Sequence, residues 1–253
     1  MQQQHAITLN YILQLADNAL LMGHRLSEWC GHAPEMEIDM AFANISLDHL
    51  GQARSLYQYA AQLEDDGKTE DDYPYLRDAS AFRNILLAEQ PNEDFAHTIA
   101  RHAYFDVFEY YLWQELSHSN DANLAAIAQK SHKETTYHLR YSSEWVIRLG
   151  DGTAKSHQRM QAAIDDLWQF TGELFMPAPP EIAAFQSGIA PDLSLIKPLW
   201  EAHIENILSE ATLRKPAPQW MQQGGKTGKH TEYLGYILAE MQYLQRAYPN
   251  AKW

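Results

Sequence analysis

The chain has 253 residues, 45% of them hydrophobic, enough for one large domain or two small ones. Its 19 Lys plus Arg stand against 33 Asp plus Glu, a formal net charge of −14 that argues against sequence-independent nucleic-acid binding and against an anionic membrane surface. A single cysteine, Cys30, excludes an intrachain disulfide and suits a reducing cytoplasm, and no apolar run approaches the roughly 20 residues of a membrane span.

Taken in order, the chain reads as helix almost throughout. Its opening, MQQQHAITLN, lacks the charged region and apolar run of a secretory signal. Residues 6–30 carry Ile7, Tyr11, Leu15, Met22, Leu26 and Trp29 at helical spacing. GHAP at 31–34 stops that helix with glycine and restarts with proline. A second helix spans 35–64, with Met36, Met40, Ala43, Leu47, Leu50, Tyr57 and Ala61 as its stripe. An acidic surface loop (64–74) and a short helix over 78–89 precede the break at Gln90-Pro91-Asn92, and Glu93 and Asp94 suit a helix N-terminus.

Helices over 94–117 and 121–149 follow. The first places Ile99, Ala103, Asp106, Tyr110 and Trp113 on one face, and Gly150-Asp151-Gly152 ends the second. Further helices cover about 154–175, 193–213 and 231–247, the last after a loop with Pro216, Pro218 and three glycines. There is no strand-type alternation, no strong repeat and no linker that would separate two domains. The hairpins 6–30/35–64 and 94–117/121–149 predict an all-α, ferritin-like four-helix bundle, one domain over 1–253 with the remaining helices bracing it.

The candidate site lies in the stretch 131–141, SHKETTYHLRY. Helical steps through Ile127, Ser131, Glu134, His138, Tyr141 and Trp145 aim a carboxylate and an imidazole at the expected core. Counting from the turns, Asp106 and Glu134 lie about 21 Å from one hairpin end, and Asn18 and Asp48 about 22 Å from the other. Di-iron carboxylate bundles hold their ligands at such mid-bundle levels, as Glu and Glu-x-x-His. Here Gly51 and Tyr137 occupy the i+3 histidine positions after Asp48 and Glu134, His138 comes one residue late, and Asn18 is a neutral amide. Asp94-x-x-His97 and Glu115-x-x-His118 sit at helix ends.

The Glu134/His138 and His102/Asp106 pairs are therefore read first as internal hydrogen-bonded salt bridges, with a metal-binding oxidase built on Asp48, Asp106, Glu134 and His138 as the alternative. Carboxylates at one level repel unless neutralised or protonated; Arg25, Lys130 and Arg140 are the candidate partners. Gly51 suggests close approach of a neighbouring helix or side chain, a filled-in site rather than a ligand cage. Cys30 reads as a small core residue. The basic, Gly-rich stretch 214–230, RKPAPQWMQQGGKTGKH, fails the P-loop spacing and reads as a solvated loop, with contact to an acidic partner or anion as its functional alternative. A surplus of Trp and Tyr would suit a subunit interface.

The segments RLSEWCGHAPEMEIDMAFANISLDHLGQAR (25–54), LLAEQPNEDFAHTIAR (86–101), KETTYHLRYS (133–142) and GGKTGKHTEYLGYILAEMQYLQR (224–246) resemble the PaaC-type subunits of the multicomponent phenylacetyl-CoA epoxidase, and the likeness runs almost end to end. The resemblance implies a ferritin-like fold and a cytoplasmic, structural, non-catalytic subunit with no cofactor of its own. It further implies a homologous A-type partner that carries the di-iron centre and binds the CoA thioester. O₂ and a reductase subunit using NADPH, flavin and an iron–sulfur centre would complete ring epoxidation in aerobic phenylacetate degradation. Other epoxidase subunits would join the assembly, and the isolated chain would have only itself to associate with. Asn18, Asp48, Gly51, Asp106, Glu134, Tyr137 and His138 become degenerate ligand positions under this reading.

Overall fold

The computed structural model describes residues 2–249 and 251. Its helices are α1 (Gln2–Ser27), α2 (Met36–Glu64), α3 (Asp72–Leu76), α4 (Leu86–Glu89), α5 (Phe95–Leu116), α6 (Ala122–Gly150), α7 (Ala154–Trp168), α8 (Pro179–Gln186), α9 (Leu193–Glu210) and α10 (Glu232–Ala247). No strand occurs among the described residues. The fold class is all-α, as the periodicity requires, and its two long helical hairpins are of the ferritin-like type. The chain divides into two compact units, residues 1–90 with 224–253, and residues 91–223.

In the first unit α1 and α2 pack as a hairpin. The turn between them uses Gly31 at φ +78°, a left-handed conformation that glycine adopts without a Cβ clash. The helix stops at Ser27, so Trp29 and Cys30 belong to this turn, and Cys30 is exposed rather than a core residue. The predicted α2 stripe is also corrected. Ile38, Phe42, Ile45, His49, Ala53 and Leu56 are buried, while Met36, Met40 and Leu47 are 71%, 59% and 64% exposed. Both faces carry apolar residues at 3.6-residue spacing, so periodicity alone could not choose between them.

Where one helix was expected over 78–89, the chain makes a 3₁₀ turn at Ala79–Ala81 and then the short α4. The reason lies in α1. Asp17 Oδ2 accepts from Arg83 N at 2.8 Å and Asn18 Oδ1 accepts from Ile85 N at 2.8 Å, so these amides bond to side chains instead of helix carbonyls. The stretch 214–230 is not solvated throughout: Gly225 and Lys226 are buried, and a Cβ on Gly225 would collide with the Asn84 carbonyl. Within the same unit α10 is tied down by Gln242, whose Nε2 donates to Pro74 O and Arg77 O.

In the second unit, side-chain caps set the helix starts. Asp94 accepts from His97 N, Asp121 from Leu124 N, Thr153 from Ser156 N and Asp192 from Ser194 N. α7 ends at Trp168, short of the predicted 175, where Thr171 Oγ1 donates to the Trp168 carbonyl at 2.8 Å. α9 ends at Glu210 rather than 213, because Thr212 turns to φ +57°. Trp200 of α9 reaches the α5 backbone, donating from Nε1 to Tyr104 O at 2.9 Å, and packs on Tyr104, Trp168 and Phe175.

Candidate functional site

A row of polar side chains is buried along the α5/α6 hairpin. α5 contributes His102, Asp106 and Glu109; α6 contributes Ser131, Thr135, His138 and Ser142. On the periodicity of α5, Asp106 belongs to the buried face, as expected. Its carboxylate accepts from Ser142 Oγ at 2.7 Å, and its second oxygen lies 3.7 Å from His102 Nδ1. His102 and Asp106 are thus close, without the charge on the imidazole that the expected salt bridge would need. Burial lowers the pKa of His102 despite the hydrogen bond and charge of Asp106, so its imidazole is neutral at neutral pH.

α6 is rotated from the face expected of it. Ser131 and His138 are buried, but Glu134 lies on the flank, where Lys130 Nζ approaches its Oε1 at 3.3 Å. Tyr137 is 41% exposed, beneath the guanidinium of Arg140 at 5.5 Å from its ring centroid. Of the three cations considered, Lys130 neutralises Glu134, Arg140 covers Tyr137, and Arg25 pairs with Glu28 at 2.7 Å and donates to Glu89 O. The hairpin register also differs from the loop count. His132 Nδ1 contacts Tyr110 O at 3.1 Å and Ser142 faces Asp106, which puts Glu134 nearer the turn than Asp106. The carboxyl that feels the Glu134 charge is Glu109, which the sequence pattern did not single out.

Burial, reinforced by the charges of Asp106 and Glu134, holds the Glu109 carboxyl well above the usual carboxylate range. A raised folded-state pKa contributes stability that is full below the unfolded value and is lost as pH rises towards the folded one. Glu109→Gln should remove that slope. Its stability relative to the parent is expected to grow by up to about 1.4 kcal/mol per pH unit above about 4.5, as read by urea unfolding between pH 5 and 8. Parallel curves for the two proteins would show that Glu109 is ionised in the fold.

In the other unit, Asn18 is buried and serves the Ile85 amide. Asp48 is half-buried, while its neighbour His49 is fully buried on the inward face of α2. Among the described residues, a Cβ on Gly51 would have no heavy atom of a neighbouring element within 4 Å, so the close neighbour expected from this glycine is not found among them. Of the two Asp/Glu-x-x-His sequences at helix ends, the first forms a helix cap. Asp94 caps α5 and pairs with His97 Nδ1 at 2.8 Å, and Glu115 and His118 are at the end of α5, away from the buried row.

The α6 residues in the positions of a di-iron cage's Glu-x-x-His are Glu134 and Tyr137. Such a cage needs a glutamate and an i+3 histidine converging on the metal. Here the glutamate is engaged by a surface lysine, and the i+3 residue is an exposed tyrosine. What remains is an imidazole–carboxylate–hydroxyl cluster of His102, Asp106 and Ser142, which joins the two helices through paired polar groups.

A model of the family described as phenylacetic acid catabolic protein matches residues 1–253. The chain is also similar to the C subunit of 1,2-phenylacetyl-CoA epoxidase from Escherichia coli (strain K12). The identity is 51% over 243 residues, covering 96% of this chain and 98% of that protein. Among the described residues, no helix is long and apolar enough to cross a membrane.

Proposed function

Because the chain belongs to the family of phenylacetic acid catabolic proteins, we propose that it is the C-type subunit of a phenylacetyl-CoA epoxidase and scaffolds a homologous di-iron A-type subunit. The observation that carries the non-catalytic part is the state of the α6 positions. Glu134 is bound to Lys130 and Tyr137 stands at the surface where an i+3 ligand would be needed. The end-to-end similarity to a protein named as the C subunit of that epoxidase supports the assignment to the complex. In this reading residues 1–253 work as one ferritin-like domain in the cytoplasm. Iron sits in the A-type partner, and electrons arrive from a reductase subunit with NADPH, flavin and an iron–sulfur centre.

The test is co-expression. The A-type chain, assayed with phenylacetyl-CoA, O₂ and the reductase, should lose most of its epoxidation rate when this chain is omitted and regain it on addition. An A-type chain that is soluble and fully active alone would sink the scaffold role.

A further inference from the structure

We infer that the outer face of α2, centred on Met36, Met40, Ala43, Leu47 and Gly51, is where a helix of the A-type subunit docks, an inference that rests on the proposed place of this chain in the epoxidase. Successive α-helix residues turn by about 100°. On that wheel these five positions fall within one quadrant, opposite the buried row Ile38, Phe42, Ile45, His49 and Leu56. One side of α2 is therefore used inside the chain, and the other presents large apolar side chains to solvent: Met36, Met40 and Leu47. Long exposed apolar stripes of this kind mark interaction sites.

Gly51 supplies an independent observation on the same face. A glycine in mid-helix destabilises it by about 1 kcal/mol relative to alanine. Among the described residues nothing requires it, since the space beyond its missing Cβ is empty to 4 Å. A glycine is useful there if the backbone of another helix comes close, as small residues permit at helix–helix contacts.

The rim decides the chemistry of the occupant. Glu37, Asp39 and Asp48 flank the stripe, and Arg54, a cation near its far end, is already paired with Glu70 at 3.2 Å. In an isologous pair the same patch faces itself, so a second copy would set acid rim against acid rim. The complementary partner is a helix with an apolar seam flanked by Lys or Arg, and the proposed function places it on the A-type chain.

The experiment measures binding of the full-length chain to the purified A-type chain by calorimetry, with sedimentation of each protein alone. Leu47→Glu is expected to weaken binding roughly thirtyfold or more, the effect of a buried interface anchor. Gly51→Leu is expected to weaken binding while raising the unfolding midpoint of the isolated chain by roughly 2–4 °C, because a helix-forming residue replaces glycine in open space. That opposition cannot come from misfolding. Parent-like binding by both variants would overturn the proposed face while leaving the assignment to the epoxidase intact. Loss of self-association with unchanged A-type binding would assign the face to a second copy and likewise overturn it. No binding by the parent chain would overturn the epoxidase assignment itself.

Discussion

Arg77→Ala should cost about 3–5 kcal/mol of stability, because it leaves a buried carboxylate without its cation. Asp17 is completely buried in the α1/α2 hairpin, and its side chain binds the Arg77 guanidinium, the Tyr57 hydroxyl at 2.6 Å and the Arg83 amide at 2.8 Å. Arg77 also lies over the Phe82 ring, 4.3 Å from its centroid, and Tyr57 stacks on Tyr73. Deleting the guanidinium removes the counter-charge and the ring contact together. The Asp17→Asn/Arg77→Met double variant removes both charges at once and should recover part of the loss, since paired removal avoids the lone buried ion. Urea unfolding at neutral pH reads both. A loss below about 1 kcal/mol for Arg77→Ala would mean that water or another group reaches Asp17.

Trp200→Ala should have a comparable effect in the other unit, about 3–5 kcal/mol, through the cavity left by a large aromatic side chain. The indole is 2% exposed and touches Tyr104, Trp168 and Phe175, which come from three other elements. Its N–H also satisfies the Tyr104 carbonyl. Trp200→Phe keeps much of the packing and loses the donor, so it should fall between the parent and Trp200→Ala. Equal losses for the two variants would show that the hydrogen bond, rather than the filled volume, holds α9 in place.

The long helices were legible because their breakers are explicit: Asp94 stands at the start of α5, where it caps, and Gly31 turns the first hairpin. Which face of α2 or α6 is buried was not legible. α2 is apolar on two opposite sides, and only the structure shows that Met36, Met40 and Leu47 look outward while His49 looks in. On α6, Glu134 and His138 are four residues apart, yet one lies on the flank and the other in the core. A rotation of a few tens of degrees separates those fates, and it is set by packing between helices. The break at 82–85 depends on Asp17 and Asn18, far away in sequence, so no local pattern could reveal it. Glu109 escaped notice because its neighbours are apolar and aromatic, and a lone acid among them reads as a surface position.

The most direct measurement is iron per chain, by elemental analysis of the separated protein after growth with added iron. The scaffold role predicts far less than one iron per chain, with no oxo-bridge absorption band. Near-stoichiometric iron with that band would contradict it and return Asp48, Asp106, Glu134 and His138 to the role of ligands.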